Sequence, residues 1–552
     1  MADARNSLTF DKATGEWMLE LRFGAGQHSS ASPRNIDIHE CFDGENEFLE
    51  FDQGTFKNRP AFDLIATATN GGAINGFAEL VDSAGSVSLL VNAGGTVYDW
   101  DGASSFTSVG TVPSNAKIRG TRHSTDIIND QVIITDLNKT TPVKTWDGTT
   151  FADLSTDLGA EFRAAYCRVD KERFFFGNVQ TTSETPHLLV ASKRSDVTSL
   201  SVSNRPSSSL GLDDPWFLPT PDLRPINALE NAFGRFILST EASGVGNIYQ
   251  LKGSDATDYN LDTLYPFSGA LGQEALLNVG NDVVWGKNGR LESLVGVEAF
   301  GDVETDDVSR WISDQIEMVK GWRGKYNPRT KRAYWWPDNG NEVWVLNKFL
   351  YDPLRSLSRV ARPDIPQGLS PWTKYTTDYG SADFRVTAAE VLKDPGDRLD
   401  YLYFGMSDGT IFRMEGLGQQ DAGSTDVVTY RVSPVIDGLV GDAYDVRGTI
   451  TYTKQFSSTV NLTFQYQGQE LFDEAITVDI PTFSNQPVFG GSFYFGGTVY
   501  FGTEFQGRLQ RQGFRAPGSS GNFQVKASVT GSDFNIHAIE IRFKPRRRNT
   551  QS

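Results

Sequence analysis

The chain has 552 residues, carries 51 Lys and Arg against 69 Asp and Glu for a formal charge of -18, and is 12% aromatic with 54 glycines. A chain this long exceeds one ordinary hydrophobic core, so two or three domains are expected, or one large closed β architecture with additions. The negative balance argues against a partner gripped through nucleic-acid phosphates or an anionic membrane, and no window approaches the roughly 18 apolar residues of a bilayer span.

Aromatic residues suit pleated surfaces and Gly supplies positive φ at tight turns, so this composition favours an all-β chain of many short strands. The two cysteines, Cys41 and Cys167, lack the spacing of a zinc site or a secreted disulfide framework, and are expected to be buried or idle thiols made in a reducing cytoplasm. Residues 1–10 (MADARNSLTF) show no basic region followed by an apolar one, which predicts a soluble protein that is not exported as a secretory precursor.

Residues 1–62 are irregular and polar, with Gly24, Gly26, Ser29, Ser30, Ser32 and Pro33 close together, and read as an extended arm that needs something to lie against. From residue 63 the pattern becomes short apolar runs separated by Gly, Asp, Asn or Ser turns. Seven runs stand out: 88–92 (SLLVN), 132–135 (VIIT), 173–176 (RFFF), 234–238 (GRFIL), 282–285 (DVVW), 333–336 (AYWW) and 401–404 (YLYF). They recur every 40 to 60 residues, the period of four-stranded propeller blades, so 63–420 is predicted to be a β-propeller of six to eight blades.

Residues 97–106 (VYDWDGASSF) and 143–151 (VKTWDGTTF) repeat, with Trp100 and Trp146 lying 46 positions apart. Each Trp is expected to end a strand and pack between neighbouring sheets. Asp101-Gly102 and Asp147-Gly148 are expected to form type I′ turns, with a Phe opening the return strand. Residues 282–294 and 400–412 keep the alternation around Asn288-Gly289 and Asp408-Gly409, so four blades are expected to share one turn chemistry. A helix is predicted over 307–318, where Asp307 can cap and Val308, Trp311, Ile312 and Ile316 share a face.

Beyond a turn-rich linker at 420–425, residues 421–552 read as a C-terminal β-sandwich-like module with a basic tail at Arg546, Arg547 and Arg548. Inside it, 488–505 alternates Gly with aromatics and suits either a long exposed hairpin that meets a partner or a hairpin packed on its own module.

Catalytic signatures are missing. The five histidines, His28, His39, His123, His187 and His537, have no metal-ligand spacing, no Gly-x-Ser-x-Gly elbow occurs, and the turn typical of sialidase blades is absent. The Asp-rich stretch 254–262 lacks the order of a calcium loop and reads as a solvated loop. No catalytic, metal or cofactor-binding residue is assigned, and the chain reads as non-enzymatic.

The succession of an arm, residues 54–60 (GTFKNRP) and Trp-Asp-Gly hairpins resembles the tail nozzle, or packaged-DNA stabilisation, proteins of short-tailed bacteriophages, the tail tubular protein B-like family. Residues 284–289 (VWGKNG) followed by 307–309, the aromatic hairpin around Tyr334, Trp335, Trp336 and 343–347, then Trp372 and the closing 539–543 (IEIRF), extend the resemblance over roughly 50–545. It implies a homo-oligomeric ring, usually a hexamer, attached below the portal and adaptor of the virion tail, assembled in the bacterial host cytoplasm. It further implies contacts with tail fibres or a tail needle, and a channel that retains packaged DNA and conducts it at ejection without specific binding. Two alternatives stay open, a carbohydrate-binding or glycosidase propeller and a cellular β-propeller scaffold. Burial of Trp100, Trp146 and Trp335 would remove the aromatic support for the first.

Overall fold

The computed structural model describes residues 9–30, 40–49, 56–122, 131–200, 211–297, 302–348, 370–376, 385–434, 444–480, 510–518, 524–530 and 535–545, short gaps inside these spans excepted. The segments 488–505 and 546–548 singled out above lie outside the described residues.

Each of the seven apolar runs is the second strand of a four-stranded antiparallel blade: Val87–Ala93, Val132–Asp136, Arg173–Gln180, Arg235–Thr240, Val283–Lys287, Arg332–Pro337 and Asp400–Met406 in blades 1 to 7. The reason is geometric. A second strand has a hydrogen-bonded neighbour on either side and another blade against each face, so both faces must be apolar and the usual alternation disappears.

The first strands are Ile74–Val81, Ile118–Arg122, Arg163–Asp170, Ile226–Ala232, Leu276–Asn278, Trp322–Asn327 and Val386–Lys393. They surround the axis in chain order, and Val386–Lys393 packs back on Ile74–Val81. Blades 1 and 2 merge into one eight-stranded sheet through a parallel bridge between Phe77 and Arg119. The outer strand of blade 7 is Asp63–Thr67, which precedes blade 1 in the chain and pairs with Thr410–Arg413. The chain is thus an all-β protein built around a seven-bladed propeller closed by strands from both ends of the propeller segment.

Apolar clusters fill the spaces between consecutive blades, and tryptophans act as wedges in several of them. Trp100 packs with blade 7, Trp146 between blades 1 and 2, Trp285 between blades 4 and 5, and Trp335, Trp344 and Trp372 between blades 5 and 6. Burial of side chains of this kind contributes about 2–3 kcal/mol each. The helix expected over 307–318 is only a single turn, Ser313–Ile316, because Asp302–Asp307 is the outer strand of blade 5. Val308, Trp311, Ile312 and Ile316 are buried against blade 6, so their spacing reflects a packed connection rather than a helix. Asp307 does not cap the helix, whose N-cap is Ile312 with no side-chain bond; its carboxylate accepts the Ser309 N–H at 2.9 Å in the turn that leaves the strand.

The arm expected over 1–62 is strand in much of its described part. Thr9–Asp11 and Glu16–Leu21 extend a sheet with Asn535–Pro545, Tyr444–Lys454 and Gln510–Gly518. Asp43–Glu45 joins a second sheet with Val428–Val432, Gln524–Thr530 and Ser458–Tyr466. The two-sheet module is therefore built from both ends of the chain. Cys41 and Cys167 are buried, and burial pushes both thiols well above their ordinary range.

The module docks along the outer strand of blade 6, Trp372–Thr376. The Gln27 and Asn46 N–H groups donate to the Trp372 and Lys374 carbonyls, both at 2.7 Å. A Cβ at Gly26 would lie 1.8 Å from the Trp372 carbonyl oxygen, so only glycine allows this approach. Arg59, from the 54–60 stretch, locks the junction with a fully buried side chain. Its Nη1 and Nη2 donate to Asp421 at 2.8 and 2.5 Å, its Nε to Asn46 Oδ1 at 2.8 Å and its Nη2 to the Thr376 carbonyl at 2.7 Å. The guanidinium also stacks 3.7 Å over the Phe62 ring. Removing one partner of a buried pair leaves an uncompensated charge, so Arg59→Ala is expected to lower stability by about 3–5 kcal/mol. Urea unfolding followed by tryptophan fluorescence measures this, and a loss below about 1 kcal/mol would show that the junction does not depend on Arg59.

Candidate functional site

The turn residues singled out in the sequence do not converge on one site. Strands of a blade alternate in direction, so links between strands 1–2 and 3–4 emerge on one face, and links between strands 2–3 and between blades on the other. Trp100, Asp101, Gly102, Trp146, Asp147 and Gly148 belong to 3–4 links of blades 1 and 2, whereas Asn288, Gly289, Asp408 and Gly409 belong to 2–3 links of blades 5 and 7. The two sets occupy opposite faces and are not equivalent.

The type I′ turns expected at Asp101-Gly102 and Asp147-Gly148 are longer loops. Trp100 pairs with Phe106 and Trp146 with Phe151, as expected of the flanking aromatics. Between them the carboxylate organises the loop as an Asx-type turn. Asp101 Oδ1 accepts the N–H groups of Ala103 and Ser105 at 2.8 and 3.0 Å, and Asp147 Oδ1 those of Thr149 and Thr150 at 2.9 and 2.7 Å. Gly102 and Gly148 take φ values of 80° and 92°, which only glycine adopts freely. Asn288-Gly289 is a true two-residue link between Lys287 and Arg290, and Asp408 Oδ1 accepts the Thr410 N–H at 3.0 Å. Asp255 and Asp258 in the Asp-rich stretch bind their own loop in the same way, accepting N–H groups of Thr257 and Ser254. Trp100, Trp146 and Trp335 are 1%, 0% and 0% exposed, so none of them can stack on a sugar.

A different set of side chains meets at the propeller axis. Arg119, Arg168, Glu230, Asn278, Lys325 and Glu390, one from each first strand of blades 2 to 7, line a cavity of about 190 Å³ together with Glu274 from the turn ahead of blade 5. Their charges are paired between blades. Arg168 meets Glu230 at 3.2 Å, Lys325 meets Glu390 at 2.8 Å, and Arg323 reaches Glu274 at 3.4 Å. Arg119 of blade 2 also pairs with Glu274, bridging non-adjacent blades across the axis.

Burial penalises each of these charges, and the pairs offset the penalty unequally. Burial would raise the Glu390 carboxyl, but Lys325, Arg119 and Arg168 outweigh it and hold the carboxyl below its ordinary value. Burial depresses Lys325, and lowers the Arg119 guanidinium to about 10. For Arg168 burial is outweighed by Glu230, which keeps it firmly charged. The space that remains has room for water molecules, and the Arg119–Glu274 pair crosses it.

Reading the sequence for apolar runs missed this set, because the charges lie in the strands that precede those runs. The available signal is a charge inside an otherwise apolar stretch upstream of some of the runs, as in 166–168 (YCR), 228–230 (ALE) and 388–391 (AAEV), while 276–278 (LLN) carries none and 322–327 (WRGKYN) carries two.

Glu390→Gln removes a half-buried anion beside Lys325 and is expected to lower stability by about 1.5–3 kcal/mol, with Lys325→Met added in the same chain restoring most of it. A carboxyl held low in the folded state contributes stability above its unfolded value near pH 4 and loses it as pH falls through its folded value. The wild type is thus expected to weaken below about pH 4, and the Gln variant to show a shallower acid limb. Urea transitions recorded across pH give both readouts; identical acid limbs would contradict the role of Glu390.

No protein-family model matches the chain, and no curated protein matches it. Among solved structures, the chain is similar to BBS1N, solved in complex with ARL6DN, at 10% identity over 68% of this chain and 97% of that one, with a TM-score of 0.36. It is also similar to a luciferin-regenerating enzyme at 11% identity over 65% and 96%, with a TM-score of 0.32, and to Hsv2 of Kluyveromyces lactis at 11% identity over 65% and 93%, with a TM-score of 0.34. Likenesses this distant carry no argument about function.

Proposed function

We propose that this chain is a structural subunit of a short-tailed phage tail, where copies form the nozzle, or distal channel, below the portal and adaptor. The observation that carries the reading is the closed propeller axis. Arg119 pairs with Glu274 across it, and Arg168–Glu230 and Lys325–Glu390 occupy what remains, so a single copy offers no conduit. A channel for DNA then has to lie between copies, which is what a homo-oligomeric ring, sixfold as the family resemblance implies, provides.

Two further features fit. Arg59, which joins the propeller to the terminal module, lies in the 54–60 stretch that carries part of the resemblance. A subunit with a formal charge of -18 can border a lumen through which a polyanion moves without adhering to it. In this reading the adaptor and portal lie above, fibres or a needle are neighbours, and the chain has no catalytic step to perform.

Mass photometry and negative-stain electron microscopy of the purified chain, alone and with the proteins encoded beside it, test the proposal. Closed rings of about six copies with an open centre are expected. A chain that stays monomeric in every mixture would overturn it.

A further inference from the structure

Nine large apolar side chains are exposed among the described residues, and four of them share one face. Leu223, Val245, Phe267 and Met318 lie, in order, on the link from blade 3 to 4, the 2–3 link of blade 4, and the links from blade 4 to 5 and 5 to 6. Their exposures are 67%, 40%, 75% and 87%; all but Val245 stand well clear of the surface.

Leu223 and Phe267 also hold left-handed backbone, with φ of 56° and 61°. A bulky residue there costs on the order of 1 kcal/mol or more, and persists only where its surroundings enforce it. The surroundings are a single hydrogen-bond network. Asp222 Oδ2 accepts from Thr240 Oγ1 at 2.9 Å and from Asn247 Nδ2 at 2.7 Å, and Asn247 Oδ1 accepts the Phe267 N–H at 2.9 Å. Arg224 Nη1 donates to the Val245 carbonyl at 2.7 Å, and the Leu223 N–H to the Thr220 carbonyl at 3.0 Å. Three apolar side chains are thus presented outward from one hydrogen-bonded scaffold, a form of preorganisation that lowers the cost of binding.

Charge selects the occupant. Copies that each carry -18 repel, and that repulsion is least where the local surface is neutral. Here the flanking charges cancel, Asp222 with Arg224 and Glu317 with Lys320. Asp222 and Arg224, on either side of Leu223, would have to be dragged into hydrocarbon by an inserting loop, which argues against a bilayer. Together the four side chains offer on the order of 500 Å² of apolar surface, most of the roughly 800 Å² per partner of a standard interface.

We infer that Leu223, Val245, Phe267 and Met318 form the contact by which one copy of the chain docks on its neighbour. The inference rests on the ring reading, and it assigns one side of a heterologous interface. The test is sedimentation velocity on the wild type, on Leu223→Asn combined with Phe267→Asn, on Met318→Ser, and on Leu399→Ser, which alters an exposed apolar residue on the opposite face.

Asn tolerates left-handed backbone, so the double variant is expected to melt at or above the wild-type temperature while assembling about tenfold or more weakly. Met318→Ser, at a position with ordinary backbone, is expected to weaken assembly in the same direction, and Leu399→Ser to assemble like the wild type. Normal rings from both the double variant and Met318→Ser would overturn the contact while leaving the ring intact. A wild type that never assembles would overturn the ring and this contact with it, and flotation of the wild type with phosphatidylglycerol vesicles through these residues would assign the platform to lipid instead.

Discussion

A radial array of β-sheets has to close. An open array would leave one apolar face of its first blade and one of its last in water, each the size of the clusters that fill the other interfaces. In this chain closure is made by Asp63–Thr67, which completes blade 7 although it precedes blade 1. That requirement organises what lies outside the propeller as well. Once residues 63–67 are fixed beside blade 7, the chain before them meets blade 6, where Gln27 and Asn46 bond the edge of Trp372–Thr376. The same segment meets the returning C-terminal strands, and Arg59 with Asp421 fastens it there.

Closure has a second consequence at the axis. Seven first strands converge, and their inward side chains have too little room for large apolar groups to pack without strain and too little water for free charges. The chain resolves this with residues of both signs. Pairs formed between neighbouring blades, such as Arg168 with Glu230, tie the ring tangentially, and Arg119 with Glu274 ties it across. The lowered Glu390 carboxyl follows from having three cations around one anion. An axis filled in this way acts as a brace, and under the proposed tail role it directs the search for a channel to the space between copies.

Much of the propeller was legible because burial on both faces leaves a plain mark: runs such as RFFF and YLYF are continuous where ordinary strands alternate. The strand at Glu16–Leu21 was not, since its partner Ile539–Phe543 comes from the far end of the chain and neither segment announces the other. Trp311, Ile312 and Ile316 imitated a helix because a connection packed on blade 6 needs apolar residues at similar intervals. The Trp-Asp-Gly repeats were recognised, but their loops are built by the aspartate side chain rather than by a two-residue backbone turn. The axial site was illegible for a simpler reason: the meaning of an isolated charge in a first strand depends on a partner some 60 residues away, as for Arg168 and Glu230.

The proposed function puts the passage between copies while each propeller stays shut. A map of the assembled particle at side-chain resolution tests it most directly. The account predicts an open lumen bordered by several copies, with continuous density joining Arg119 to Glu274 across every propeller axis. A particle whose open bore ran along the propeller axis, with Arg119 and Glu274 apart, would contradict it.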